Sequence, residues 1–253
     1  MVILVYGLIG NEHLIFNNRF VFMKRGLISG LLLLIFFSGF AQKVKDSIPK
    51  LPLVVLPAAG DESMPMVLMI TGDGGWKNFD PRLANQFVQE KVPVVALNAL
   101  HYFWTKKTPD QTAAVVEDLL NKYMQTWHKK SFILVGFSFG ADVLPFIVNR
   151  LPENRMSHCR GVALFSPGIS TDFEIHISQM LSNHRQWQYN VVNEIEAMKP
   201  VKLLCFFGDE EHEFPVDIIS RPDWQLIYLK GGHHYEKNTD DIAKIVLDRL
   251  GAE

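Results

Sequence analysis

Seven short stretches of the chain are apolar almost without interruption: residues 54–56, 66–70, 92–97, 132–137, 162–165, 202–207 and 226–229. They are rich in Val, Ile, Leu and Phe and lack a two-residue alternation, as strands covered on both faces of a parallel sheet would. Between them, residues 81–90, 108–127, 142–149 and 239–250 read as helices. In the second of these, Ala114, Leu119, Leu120 and Tyr123 form the expected buried stripe, and Thr108-Pro109 supplies an N-cap followed by Pro at the first helical position. Alternating strands and helices over about 200 residues predict one α/β domain, a mostly parallel central sheet with helices on both faces. Residues 169–199 break the rhythm: they are polar, hold His176, His184, Trp187 and Tyr189, and show no strand pattern. Such an insertion reads either as a cover for an active site or as a surface pair of helices.

The first forty residues follow a different pattern. Met23-Lys24-Arg25, an apolar run over 27–37 and Ser38-Gly39-Phe40-Ala41 make the basic, hydrophobic and small-residue regions of a secretory signal peptide. Residues 23–41 are therefore expected to be cleaved, residues 1–22 to be an upstream extension, and residues 42–253 to form the domain of an exported, periplasmic protein. A retained N-terminal anchor is the other reading. Removing residues 1–41 takes away Arg19, Lys24, Arg25 and Glu12 and moves the net charge from −2 to −4.

Composition narrows the class. A chain 48% hydrophobic and 21% charged is globular rather than disordered or coiled-coil. A near-neutral balance excludes a nucleic-acid binder that works by phosphate neutralisation. Two cysteines, Cys159 and Cys205, cannot build a disulfide scaffold or a four-thiolate zinc site. Cys205 lies in an apolar run and reads as a buried thiol, with pairing to Cys159 in an oxidising compartment as the alternative.

The chemistry concentrates at Gly136-Phe137-Ser138-Phe139-Gly140, which follows one apolar run and opens a helix. That is the context of a nucleophile elbow, whose glycines permit a turn too tight for flanking Cβ atoms. A helix beginning beyond Ser138 offers free N–H groups to a developing oxyanion. A serine nucleophile needs an acid and then a base further along the chain. Phe207-Gly208-Asp209-Glu210-Glu211 supplies Asp209 or Glu211 as the acid, with equal weight. Gly231-Gly232-His233-His234 supplies His233 as the base, with His234 in reserve. The second oxyanion donor is expected in Thr71-Gly72-Asp73-Gly74-Gly75-Trp76, so the amides of Phe139 and of Gly74 or Gly75 are the candidate donors. Trp76, Tyr102 and Trp104 are candidate pocket walls, although aromatic core packing is the default for the Tyr102-Phe103-Trp104 cluster. No spacing of His, Cys or carboxylates argues for a metal or cofactor.

Together, Gly72-Asp73-Gly74-Gly75-Trp76, Tyr102-Phe103-Trp104 with Thr108-Pro109, the Ser138 elbow through Asp142, Phe173-Glu174-Ile175-His176 and Gly231-Gly232-His233-His234 resemble the bacterial virulence protein VirJ/AcvB family. The resemblance implies an exported α/β-hydrolase with Ser138 as nucleophile, His233 as base and a carboxylate after Gly208 as acid. It further implies hydrolysis of aminoacylated, notably lysylated, phosphatidylglycerol, hence a lipid or small ester substrate at the membrane surface. A secretion-machinery partner, with the fold serving as a non-catalytic binder, is the competing expectation. A thioesterase or peptidase on the same residues is a third.

Overall fold

The computed structural model describes residues 50–175, 187–236 and 241–251. The expectations for residues 1–41, and those for His176 and His184, lie outside the described residues. Each of the seven apolar runs becomes a strand of one sheet: β1 (Leu53–Leu56), β2 (Met66–Ile70), β3 (Val94–Leu97), β4 (Phe132–Phe137), β5 (Cys159–Phe165), β8 (Leu203–Gly208) and β9 (Trp224–Leu229). Their order is β1-β3-β2-β4-β5-β8-β9, with β1 antiparallel and every other pairing parallel.

Burial explains the continuous runs. In β2, β3, β4 and β8 every residue is buried. Successive side chains point to opposite faces, so Leu68 and Ile70 enter one apolar cluster while Val67 and Met69 enter the other. Helices α1 (Phe79–Gln89) and α7 (Ile242–Leu250) cover the second cluster. Helices α3 (Pro109–Thr126) and α4 (Phe139–Arg150) cover the first, together with the single turns α2 (Ala99–Tyr102) and α5 (Glu153–Met156). The edge strands β1 and β9 are only partly buried, unlike the two-faced burial expected of them, because no strand covers their outer side.

The start of α3 forms as its sequence predicts. Thr108 Oγ1 accepts from the Gln111 amide at 3.1 Å and Gln111 Oε1 accepts from the Thr108 amide at 3.0 Å, a reciprocal cap. Residues 169–199 do contain strands: β6 (Ser170–Thr171) pairs antiparallel with β7 (Tyr189–Asn190), which leads into α6 (Val191–Glu196). Two-residue strands are too short to leave a periodic signal. Both thiols are free. Cys205 sits opposite Leu164, five residues along β5 from Cys159, so the two are about 16 Å apart along the sheet, beyond disulfide reach.

Candidate active site

The parallel strands point their C-terminal ends the same way, and the loops leaving β2, β4, β5, β8 and β9 therefore meet at one edge of the sheet. Ser138 stands in the bend between β4 and α4, with φ 51° and ψ −119°, a region that L residues rarely occupy. The bend closes because Gly140 packs on β2: a Cβ there would fall inside the radius of the Ile70 carbonyl oxygen. The amide of Phe139, first residue of α4, has no partner within the helix, and Phe139 lines a pocket together with Ser138.

The other two groups arrive on the loops after β8 and β9. Those loops touch at Gly208, where a Cβ would overlap the Gly231 carbonyl. His233 Nε2 lies 2.8 Å from Ser138 Oγ, and His233 Nδ1 lies 2.8 Å from Glu211 Oε1. The second Glu211 oxygen, Oε2, accepts from Ser166 Oγ and from the Gly208 amide, each at 2.6 Å. With Nδ1–H donated to a carboxylate, Nε2 is left to accept the serine proton.

Of the two acids expected, Glu211 is the one brought to the imidazole. Asp209 is exposed, and its Oδ1 accepts from the Gly231 amide at 2.8 Å, which ties the acid loop to the histidine loop. His233, not His234, is the partner of Ser138; the His234 carbonyl accepts from Arg82 at 3.3 Å and its ring lies 5.8 Å from that of Phe137.

The oxyanion loop departs from expectation. The Gly75 amide donates to the Gly72 carbonyl at 3.0 Å and closes a turn, while Gly74 is exposed and does not line the cleft. The residue of this loop beside Ser138 and Phe139 is Asp73. The three aromatic candidates also lie elsewhere. Tyr102 is buried edge-on against Phe103, Trp76 packs on the cluster under α1, and Trp104 is 56% exposed. Core packing claims the first two, as apolar area dictates.

The cleft has two halves that share Ser138 and Asp142. One, of about 500 Å³, runs past Ile169, Phe207 and Phe214 to Glu210 and Glu213. The other, of about 180 Å³, is lined by Asp73, Asp142, Asp172, Glu174 and Trp187. Among the described residues, neither half is lined by Lys or Arg. Described residues of the 169–199 insertion line both halves, Ile169 in one and Asp172, Glu174 and Trp187 in the other, which fits the reading of a segment that walls a site.

These carboxylates shape the local titration. The hydrogen bond that His233 donates to Glu211 raises the His233 pKa above its ordinary value; burial opposes this, and the charges of Glu211, Asp142 and Asp73 add to it. Burial would raise Glu211, but the bonds from His233, Ser166 and Gly208 outweigh burial and leave its carboxyl below the usual value. Burial pushes Asp142 up to about 7, against the Gly168 amide and His233 and with Asp73 adding to the rise. Sequence reasoning missed Asp142 and Asp73. Position alone could have flagged them: Asp142 is one helical turn beyond Ser138, and Asp73 follows a strand end in the oxyanion loop.

A family model described as bacterial virulence protein (VirJ) matches residues 64–253. The chain belongs to the VirJ family. The sequence of this VirJ-family chain matches no curated protein. Its fold is similar to that of solved α/β-hydrolases. Est1E from Butyrivibrio proteoclasticus, in a structure with ferulic acid bound, superposes with a TM-score of 0.56 at 12% identity, over 80% of this chain and 96% of Est1E. A proline iminopeptidase from Mycobacterium smegmatis gives 0.55 at 14% identity, over 78% and 93%. A thioesterase domain from the curacin biosynthetic pathway gives 0.51 at 14%, over 79% and 94%. At such identities these neighbours establish the VirJ-family fold as that of an α/β-hydrolase. Among the described residues no group of three or more His, Cys, Asp or Glu is arranged to hold a metal ion.

Proposed function

We propose that the protein is an exported serine esterase, with Ser138 as nucleophile, His233 as general base and Glu211 as the acid that orients it. The observation that carries this reading is the row Ser138 Oγ, His233 and Glu211, linked by two contacts of 2.8 Å across three separate loops. Neutral His233 takes the Ser138 proton on Nε2 as Oγ adds to the ester carbonyl. The amides of Phe139 and Asp73 donate to the resulting oxyanion. Collapse breaks the ester C–O bond, and His233 gives its proton to the leaving alcohol. His233 then deprotonates a water that attacks the acyl-serine, and the carboxylic acid departs as Oγ recovers its proton.

The substrate class we infer is an aminoacyl ester of a phospholipid headgroup, the lysyl ester of phosphatidylglycerol in particular. Family resemblance implies it, and the acidic half of the cleft supports it. Asp73, Asp142, Asp172 and Glu174 surround the position of an acyl group seated on Ser138, where an ammonium would be attracted and a second carboxylate repelled. The longer half, with Ile169, Phe207 and Phe214, suits the glycerol and proximal acyl carbons. Such a substrate places the enzyme at the outer face of a membrane, as the expected signal peptide would.

The test uses purified protein and vesicles of phosphatidylglycerol doped with its lysyl ester. Wild type should release free lysine, and Ser138→Ala should lose at least about a thousandfold in rate. Equal release by both would overturn the reading, whereas a folded wild type that hydrolyses short acyl esters but never the lysyl lipid would overturn the substrate inference alone.

A further inference from the structure

Two buried hydroxyls behind the acid belong to no motif of the sequence. Ser166 directly follows β5 and is 2% exposed; Tyr235 follows the histidine pair and is 6% exposed. Both hold positive φ, 48° and 55°, although neither is glycine. Their oxygens lie 2.7 Å apart, Ser166 Oγ is 2.6 Å from Glu211 Oε2, and Tyr235 Oη is 3.2 Å from the Phe206 carbonyl.

Proton counting gives the row a direction. An ionised Glu211 has no proton to give, so the only proton on Ser166 is spent on Oε2. Ser166 can then take part in the 2.7 Å contact only as acceptor, which makes Tyr235 the donor. The longer contact with Phe206 shares that same phenolic proton. The order runs from Tyr235 to Ser166 to Glu211, with His233 donating from the other side.

We propose that Ser166 and Tyr235 are positioning residues that fix Oε2 of Glu211 and draw its charge away from the oxygen that meets His233. Tyr235 also lies two residues after His233, so the phenol that feeds the acid pins the loop that carries the base. Burial keeps the Tyr235 hydroxyl protonated far above neutral pH, as a permanent donor must be. The purpose of this arrangement rests on the serine-esterase reading; its geometry does not.

The consequence is a tuned imidazole. His233 faces Glu211, Asp142 and Asp73, with His234 beside it and Glu210 close to Gly232. The two donors on Oε2 draw charge away from the oxygen that meets His233. Without the Ser166 hydroxyl the carboxylate pulls harder on the imidazolium, and His233 should hold its proton to higher pH.

The experiment compares wild type with Ser166→Gly, which suits the positive φ, and Tyr235→Phe, which keeps the ring contacts with Phe79 and Phe165. Two readouts are followed: the NMR titration of the His233 ring, and the pH profile of kcat/KM on p-nitrophenyl acetate. The His233 titration and the acid limb of the profile should both move to higher pH, further in Ser166→Gly than in Tyr235→Phe. For Tyr235→Phe, kcat should fall about tenfold with KM unchanged, because Tyr235 does not line the cleft. Folded variants whose His233 titrates as in wild type, or at lower pH, overturn the proposal. Fluorophosphonate labelling of Ser138 in wild type separates the two claims: its absence removes the esterase reading, whereas the NMR titration judges the hydroxyl row with no reaction at all.

Discussion

Glu211 and Asp209 are two residues apart and chemically similar, yet only one meets the imidazole. Asp209 has the shorter side chain and leaves the strand end pointing at the Gly231 amide. Glu211 follows a turn closed by its own amide on the Gly208 carbonyl at 3.0 Å, which brings its carboxylate back under His233. Sequence could place an acid after Gly208 but could not choose, because the choice is made by a turn geometry that two acidic residues share. Replacing each in turn should separate them. Glu211→Gln should lower kcat by about 10⁴, since an amide leaves His233 in the wrong tautomer. Asp209→Asn, which retains an oxygen for Gly231, should stay within about threefold of wild type. Comparable losses in kcat for the two variants would contradict the assignment. The elevated His233 pKa fixes the sign of the pH dependence: activity needs neutral His233, so the acid limb of kcat/KM should lie above the ordinary histidine value of about 6.5.

At the scale of elements, the apolar runs were legible because burial on both faces removes every reason for a polar residue inside a central strand. The ends were less so. Helix α4 begins at Phe139, three residues before the amphipathic pattern suggests, because Phe139-Gly140-Ala141 must serve the bend before they serve the helix. The short β6–β7 pair left no period to read. Of the aromatic candidates, Trp76 looks like a pocket wall in one dimension but packs on the apolar cluster beneath its loop, while Tyr102, at the end of α2, takes the core packing that is the default for its cluster. The bend itself stores strain, and that strain is measurable. Ser138→Ala keeps the side-chain clash at φ 51°, whereas Ser138→Gly removes it. The glycine variant should be inactive yet more stable than the alanine variant by about 1 kcal/mol, a few degrees in Tm. Equal melting temperatures would show that the elbow costs the fold nothing.

Across the whole domain, five loops from one edge of a parallel sheet build a cleft whose described charged walls are carboxylates. Burial near this edge also leaves an acid in a place that penalises folding. Asp80, in the first turn of α1, is 1% exposed, and its Oδ1 has no hydrogen-bond partner. Burial drives its pKa to about 8, against the Gly72 amide and its own, with Asp73 adding to the rise. The unfolded chain loses this proton near pH 4 while the folded one keeps it to about 8. Stability from this group is therefore complete below about pH 4 and declines as pH rises towards 8. Asp80→Asn should gain Tm over wild type at pH 8 and gain less at pH 5; equal differences at both would refute a buried neutral acid. Among the described residues no helix is long and apolar enough to cross a membrane. The measurement that bears most directly on the account is the site of covalent capture by a fluorophosphonate, read by peptide mass. A single adduct is expected, on Ser138, and it should disappear in Ser138→Ala and in His233→Ala. A folded wild type that takes no adduct, or an adduct that persists without Ser138, would contradict it.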